Sequence, residues 1–299
     1  RAFFVADGCS SFPGAAFHLH ADGITLSGLD INGSGCTHTV HVGDLAEIQV
    51  RDVTVTDNAI HGSTFGTTIS WGSSYDEGVP NVVTGNDIYS NSVGVLLNSA
   101  SNNTVSDNSI HHNSSAGLWL ADCSQIEDTF CGIGGPSANS ISGNTIQFNG
   151  LSDTGIHIFS NGGGNAANNN IVSENVEGVI NDTENNFDAD LNCWGEASGP
   201  FHETTNAEGL GNSVSDNVEY RPFYTDLERT TKSVSEIDPD DLSSLLDSGS
   251  FDIPDGESSD EASQITVNED LTINVPDGGG TSSVVLPSGT VITNEDGTI

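Results

Sequence analysis

The chain has 299 residues, with 43 acidic and only five basic side chains, and its net charge is −38. Phosphate recognition needs lysine and arginine, so this charge excludes nucleic acid as a partner and argues against an anionic membrane surface. The acids are spread over predicted loops and turns, which is typical of halophilic proteins whose self-repulsion is screened by salt. The alternative interpretation is an acidic, calcium-dependent secreted protein.

The N-terminal residues 1–20 are small and apolar, and they predict either a cap over an open end or an earlier coil of a repeat. The sequence contains no methionine, which predicts that Arg1 is not a translation start and that any signal segment lies outside the chain. No apolar run approaches the length of a membrane span.

The clearest repeat lies between Gly94 and Ala121. The apolar run GVLL at Gly94 returns as GLWL at Gly117, and two short polar-punctuated strands lie between the two runs. A fixed return distance in this range is typical of a solenoid. No segment of the repeat has the spacing of apolar residues that a helix requires.

Asparagine begins most of the short units, in the pattern N-x-[IV]. Asparagine tolerates tight corners and can stack in ladders, so we predict that it marks the corners of coils. Each strand is then expected to pair in parallel with its counterpart one coil away, about 4.8 Å along the axis. The valine, isoleucine and leucine side chains are expected to point inward.

The combined pattern, G-[IV]-x-[LIV] followed by two N-x-[IV] units, resembles right-handed parallel β-helix repeat proteins. These include pectate-lyase-like folds and the NosD-like group, and the resemblance is to haloarchaeal secreted or cell-surface members. It implies an all-β fold, a right-handed parallel β-helix of about eight coils over residues 20–226. We expect Leu96, Leu118 and Ile156 to stack in one ladder, and Leu29 to match Val53 in the next coil.

Two stretches depart from the repeat and are predicted to be excursions. Residues 61–80 include Phe65, Trp71 and Tyr75, and residues 122–138 include two cysteines. Inserts in repeat proteins gather on one face, which is often the binding face.

Residues 186–226 resemble the stretch that closes the β-helix in haloarchaeal and NosD-like secreted proteins. The matching residues are Asn192, Trp194, Gly195, Gly199, Pro200, Val214, Val218 and Pro222. We expect a bulky apolar lid over the last coil, formed by Trp194, Phe201, Tyr220, Phe223 and Tyr224.

The remaining chain changes composition, which predicts three domains: residues 1–226 form the β-helix, 227–263 an acidic linker, and 264–299 a small or truncated β-domain. The linker is rich in Ser, Asp, Glu and Pro, with at most one short helix near residues 239–246. Residues 264–299 contain four predicted strands with alternating apolar and polar residues, and these are too few to form a hydrophobic core of their own. This segment is therefore a candidate for assembly with another subunit. Its candidate residues are Ile265, Val267, Leu271, Ile273, Val275, Val284, Leu286 and Val291.

Five cysteines are an odd number. Cys123 and Cys131 flank a short insert, and the separation of Cys9 from Cys36 is close to one coil, so both pairs are disulfide candidates. Cys193 is left over, and a buried thiol is the alternative for each of the five.

The sequence designates no catalytic residue. Polysaccharide lyases of this fold need basic residues, and Arg51 is the only one inside the predicted coils; the motifs of polygalacturonase-like hydrolysis are absent. A glycosidase that uses two carboxylates stays open, because aspartate is abundant.

The sequence suggests candidate sites for metal ions and for glycans. His111, His112 and His157 lie in neighbouring coils and are candidate metal ligands, with exposed repeat residues as the alternative. Oxygen-rich turns such as 181–182 and 188–190 suggest Ca²⁺ as a candidate cofactor. Four N-x-[ST] sequons make Asn32, Asn102, Asn113 and Asn181 candidate glycosylation sites.

These features favour a secreted or cell-surface structural or adhesive protein of a halophile that assembles into an extracellular array or filament. Its expected partners are further copies of itself or other surface proteins, with a polysaccharide as a further candidate. The alternatives are a polysaccharide-active enzyme, either a lyase or a glycoside hydrolase, and a tail-fibre or spike module of a haloarchaeal virus.

Overall fold

The computed structural model describes residues 2–5, 8–10, 14–43, 50–70, 79–122, 134–150 and 154–233, together with strands at 265–266, 271–277, 280–286 and 291–292. All regular elements among these residues are β-strands. None of the described residues forms a helix that is long and apolar enough to cross a membrane.

Three parallel sheets form the walls of the solenoid. Sheet A contains β1 Ala2–Val5, β4 Leu29–Asn32, β7 Ala59–His61, β10 Asp87–Tyr89, β13 Ser109–His111, β16 Thr145–Gln147 and β19 Ile171–Ser173. Sheet B contains β2 Ala15–Leu19, β5 His38–Val42, β8 Phe65–Ser70, β11 Val93–Asn98, β14 Ala116–Ala121, β17 Thr154–Ile158 and β20 Glu177–Asn181. Sheet C contains β3 Thr25–Ser27, β6 Thr54–Thr56, β9 Val82–Thr84, β12 Thr104–Ser106, β15 Ser140–Ser142, β18 Ala166–Asn168, β21 Phe187–Asp188 and β22 Val218–Glu219.

The chain crosses sheets C, A and B in turn, and each strand pairs in parallel with its counterpart in the next coil. The predicted right-handed parallel β-helix is therefore confirmed, with about seven turns rather than eight. Of the two predictions for residues 1–20, the earlier coil is confirmed, because β1 pairs with β4 and β2 pairs with β5.

The register differs from the prediction at two places. Leu118 pairs with Ile156 as expected, but on its other side it pairs with Val95, and Leu96 pairs with Trp119. The glycines fix this register, because a Cβ atom on Gly117 would lie 2.7 Å from the carbonyl oxygen of Gly155 in the next coil.

The second register error concerns the spacing of the first coils. Thr25 pairs with Thr54, so this turn is longer than the turn from Gly94 to Gly117, and Leu29 does not match Val53. Most of the extra residues lie between β5 and β6, where positions 44–49 fall outside the described residues.

The core is a column of aliphatic side chains, with one inward residue in the middle of each short strand. In sheets A and C these central residues are less than 9% exposed, and they are Leu26, Ile31, Val55, Ile60, Val83, Ile88, Val105, Ile110, Ile141, Ile146, Ala167 and Val172. Sheet B adds two inward columns, which contain Val95 and Leu97 in β11 and Leu118 and Leu120 in β14.

Three asparagine ladders confirm the predicted role of the N-x-[IV] units. Each side-chain amide donates from Nδ2 to the Oδ1 of the asparagine one coil further on, at 2.8–3.2 Å. The ladders consist of Asn58, Asn86, Asn108, Asn144, Asn170 and Asn192; of Asn81, Asn103, Asn139 and Asn165; and of Asn91, Asn113, Asn149, Asn175 and Asn212. Each amide thus satisfies buried polar groups at a corner, where no strand could supply partners.

The closing segment covers the last turns. Trp194 is completely buried, and Tyr220 and Phe223 are 6% and 5% exposed. Gly199 is required where it stands, because a Cβ atom there would lie 2.3 Å from the ring of Phe223. Phe201 does not belong to the predicted lid, since it is 42% exposed.

The chain divides into two compact units, residues 1–230 and 231–299. In the second unit, β23 Ile265–Thr266 pairs with β26 Val291–Ile292, and β24 Leu271–Asp277 pairs with β25 Gly280–Leu286, both antiparallel. The predicted helix near 239–246, and Val267 among the assembly candidates, lie outside the described residues.

A disulfide joins Cys9 to Cys36, whose Cα atoms are 5.5 Å apart, as one of the two suggested pairings requires. Cys123 and Cys131 lie outside the described residues. Cys193 is buried as a free thiol, and burial is the main cause that raises its pKa, so the residue packs as a small apolar side chain.

Candidate functional site

Within the repeat, the longest stretches of sequence between consecutive strands follow strands of sheet B. Residues 44–49, 71–78 and 123–133, which fall outside the described residues, follow the carboxyl ends of β5, β8 and β14 within two residues. The predicted first excursion is wrong at its start, because residues 65–70 form β8, whereas residues 71–78 lie outside the described residues. Because inserts in repeat proteins often mark the binding face, the outer face of sheet B is a candidate binding surface.

A continuous series of aromatic and imidazole rings lies on this outer face. We call it ring array B, and its members in order of contact are His18, His41, His38, Phe65, Trp119, Phe159 and His157. Successive ring centroids are 5.2, 5.0, 5.3, 6.1, 5.2 and 3.7 Å apart. Because the array extends from β2 to β17, it covers five strand spacings, or about 24 Å along the axis.

Trp119 occupies a special position in ring array B. Its indole is inclined by 62° to the ring of Phe65 and by 87° to the ring of Phe159, so neither neighbour is stacked parallel to it. The side chain is half-buried, and its Nε1 has no hydrogen-bond partner within the described part of the chain. Trp119 is therefore a half-buried aromatic ring without a parallel stacking partner among its neighbours in the array.

Sheet A carries a different arrangement, ring array A, which consists of His61, Tyr89, His111, His112 and Phe148. Tyr89 is covered on both faces, by His61 at 4.9 Å and 13° and by His111 at 5.5 Å and 6°. Rings stacked in this way present their edges to solvent. Ring array A therefore covers both faces of its central ring, whereas Trp119 has no parallel stacking partner in ring array B.

Hydrogen bonds fix the histidines at the N-terminal end of ring array B. His18 Nε2 donates to the carbonyl oxygen of Gly43 at 2.8 Å, and His38 Nδ1 lies 2.7 Å from Thr68 Oγ1. Burial lowers the pKa of His38 from 6.5 to about 4, with the neighbouring His18 as the second cause. Burial also lowers the pKa of His41 well below 6.5, so both rings are neutral at neutral pH.

This burial predicts a pH-dependent stability. Between pH 6.5 and 4 the unfolded chain binds a proton at His38 and the folded chain does not, so the stability contribution present above pH 6.5 is lost as the pH falls toward 4. Relative to His38→Gln, the free energy of unfolding of the wild type should fall by about 2 kcal/mol between pH 7 and pH 5. Urea denaturation at both pH values measures it. Exposed His20→Gln should behave like the wild type, whereas equal pH slopes for His38→Gln and wild type would contradict the assignment.

The predicted metal ligands are not brought together. His111 and His112 lie in sheet A and at the corner after it, and their Nδ1 atoms are 2.8 Å apart, whereas His157 lies in sheet B. His111 Nε2 pairs with Asp87 at 2.8 Å, and His157 Nε2 pairs with Asp182 at 2.8 Å. Across the described residues, no group of three or more His, Cys, Asp or Glu could hold a metal ion.

The turns predicted to bind Ca²⁺ use their oxygen atoms within the protein. Asp188 and Asp190 accept hydrogen bonds from Nδ2 of Asn168 at 3.0 and 2.5 Å. Asn181 Oδ1 accepts a hydrogen bond from the backbone of Thr183 at 3.1 Å. A cation at either turn would have to compete with these contacts.

The four candidate glycosylation sites differ in exposure. Asn113 is 1% exposed within an asparagine ladder, and Asn181 is 7% exposed, so the folded chain presents neither amide to a glycan. Asn32 is half-buried and Asn102 is exposed. Asn102 is thus the best placed of the four.

A separate open cleft of about 500 Å³ lies in the closing segment. Its walls include His202, Asp216, Glu219, Tyr220 and Arg221. His202 is buried with its Nδ1 facing two backbone N–H groups and its Nε2 3.3 Å from Asp216, an arrangement that holds the loop in place.

The sequence analysis grouped His111, His112 and His157 as candidate metal ligands or exposed repeat residues, and it did not predict either ring array. The signal was present in the repeat, because Trp119 and His157 occupy the same outward position after an aligned glycine. Phe65 was predicted to lie in an excursion, but it begins the strand β8.

Three parallel walls, inward aliphatic columns and asparagine corners define a right-handed parallel β-helix. The family described as the right-handed β-helix region matches residues 15–193, and the chain belongs to this family. A search of curated proteins gives no match. Among solved structures, the chain is similar to XylC in complex with xylose, with 13% identity and a TM-score of 0.44. The similarity covers 62% of this chain and 32% of that protein, so the chain spans about a third of its length.

Proposed function

We propose that this chain is an extracellular, non-catalytic adhesive protein that binds a polysaccharide along ring array B. The observation that carries the proposal is Trp119, a half-buried ring on which neither Phe65 nor Phe159 stacks, in the middle of a ring series that follows the helix axis. Sugar rings have apolar faces, and binding sites for such ligands combine aromatic surfaces with a few fixed polar groups. His157 and His18 supply such polar groups at the two ends.

The charge of the chain favours an uncharged polysaccharide. A net charge of −38 repels a polyuronate unless cations screen it. The rings of array B contact one another, hydroxyl groups and a backbone carbonyl, and Asp182 is the carboxylate among their partners. Neutral hydroxyl-rich chains match this surface, while hydrolysis by two carboxylates would require a second acid flanking the bound sugar.

The test replaces Trp119 by alanine and measures binding to neutral polysaccharides, such as xylan, glucomannan and β-glucan, by affinity electrophoresis. Removing a central aromatic contact should weaken binding at least about 30-fold, or roughly 2 kcal/mol. Tyr89→Ala in ring array A is the matched control and should leave the affinity unchanged.

The folding of both variants is checked by circular dichroism. The proposal fails if the wild type binds no neutral polysaccharide of the panel, or if Trp119→Ala and Tyr89→Ala lose affinity equally. Tighter binding of polygalacturonate than of the neutral chains would overturn the ligand class.

A second candidate, polysaccharide cleavage, is favoured by the sequences that follow the sheet-B strands. These excursions carry six acids, Asp44, Glu47, Asp76, Glu77, Glu127 and Asp128, all outside the described residues. Release of reducing ends or of unsaturated products from the bound polysaccharide would establish an enzyme in place of an adhesive protein.

The halophilic, cell-surface and array-forming parts of the proposal rest on the sequence. The excess of acidic over basic residues predicts that stability increases with salt. Strands β24 and β25 form a two-stranded antiparallel hairpin. A two-stranded hairpin is marginally stable alone and would gain stability from packing on another molecule.

A further inference from the structure

The outer face of sheet C is a regular surface of small hydroxyl side chains. Six consecutive strands each present their first and third residues outward, and all twelve side chains are exposed or half-buried. Nine of the twelve are threonine or serine. The residues are Thr25, Ser27, Thr54, Thr56, Val82, Thr84, Thr104, Ser106, Ser140, Ser142, Ala166 and Asn168. We call this surface the hydroxyl face.

The hydroxyl face carries no charge, although the chain contains 43 acidic residues. The corresponding outward positions of sheet A include Asp30, Asp87 and three rings of array A. On the strands of sheet C themselves, acids occur only in the last two, at Asp188 and Glu219, while Asp57 and Asp107 border the face at the turns after β6 and β12. A neutral wall on so acidic a molecule matches a partner that is itself uncharged.

The hydroxyl face is also periodic in two directions. The strands are in register, with Thr25 opposite Thr54 and Thr104 opposite Ser140, so equivalent side chains repeat about every 4.8 Å along the axis. Along each strand the two outward side chains are two residues apart, or roughly 6.7 Å. Threonine is stiff at χ1, so its hydroxyl and methyl groups hold these positions without a large loss of side-chain entropy.

We propose that the hydroxyl face binds ice. Its two spacings are close to the repeats of oxygen atoms on the prism face of hexagonal ice, and its hydroxyl and methyl groups can order a layer of water with the same spacing. Such a partner does not require the hydroxyl groups to be desolvated, because water remains their hydrogen-bond partner. The acidic remainder of the molecule stays solvated by liquid water, so only one side of the protein joins the crystal.

This site is independent of the polysaccharide surface. The hydroxyl face lies on sheet C and ring array B on sheet B, so a change to Thr104 does not alter any ring of the array. Within the hydroxyl face, the contact between Ser106 Oγ and Thr84 Oγ1 at 3.0 Å links neighbouring coils and keeps the surface regular.

The test measures thermal hysteresis and the inclusion of fluorescently labelled protein in a growing ice hemisphere, with the full chain in buffered salt. The wild type should depress the freezing point below the melting point and enter the ice. Thr104→Tyr places a large ring in the middle of the hydroxyl face and should reduce both activities about tenfold or more, as expected for the centre of an interface.

Ser109→Tyr is the matched control, because Ser109 is exposed on sheet A in the same coil. It should retain the activity of the wild type, and thermal melting of both variants verifies folding. The proposal is overturned if the wild type shows neither hysteresis nor inclusion in ice, or if Thr104→Tyr and Ser109→Tyr behave alike.

Discussion

Leu118→Asp is expected to destabilise the β-helix strongly. Leu118 is completely buried in the central turn, where it pairs with Val95 on one side and Ile156 on the other. A carboxylate there has no cation to pair with among its inward neighbours, and an uncompensated buried charge costs about 4 kcal/mol. For a unit of this size the melting temperature should fall by about 10 °C or more.

Ser140→Asp provides the control for Leu118→Asp. It adds the same charge to an exposed position in β15, opposite the uncharged Thr104 and Ala166, and should change the stability by less than about 0.5 kcal/mol. An unchanged melting temperature for Leu118→Asp would mean that residue 118 does not point into the core and that the register is wrong.

Asn108→Asp is the second change for which we expect a large effect. The Nδ2 group of Asn108 donates to Val83 O and to Asn144 Oδ1, both at 2.9 Å, within the longest asparagine ladder. Aspartate has nearly the same shape but places an oxygen against these two acceptors. Two buried acceptors then lose their donor, at about 1–3 kcal/mol each, and the new charge adds to this cost.

Denaturant unfolding of Asn108→Asp should show a loss of about 3–5 kcal/mol. Asn102→Asp is the matched control, because Asn102 is exposed and its left-handed backbone conformation is one that aspartate also tolerates. Equal stability of the two variants would mean that the ladders follow from the fold and do not stabilise it.

The regular part of the fold could be predicted because each coil repeats the same physical requirements. Asparagine recurs at the corners and glycine at the second position of sheet-B strands such as β11, β14 and β17, and together they predict the class of fold. The errors arose where the interval changes. The turn from Thr25 to Thr54 is longer than the turn from Gly94 to Gly117, and Phe65 lies in a strand of the repeat where an excursion was expected.

The binding surfaces were less predictable than the fold. Trp119 is far from His157 and Phe159 in sequence, yet its ring contacts Phe159, which also contacts His157. Only the stacking of coils brings Trp119 close to these two residues. The hydroxyl face is visible in the sequence only after every strand has been placed in register. The packing of Phe223 against Gly199 depends on an irregular closing loop, for which no period exists.

The most direct test of the proposed function is a crystal structure, at high salt, of the protein with an oligosaccharide from the polysaccharide that binds most tightly. Our account predicts a sugar ring in van der Waals contact with the indole of Trp119, within about 4 Å, and a chain that follows the axis along ring array B. An oligosaccharide bound to ring array A or to the cleft beside Arg221, with no contact to Trp119, would contradict it.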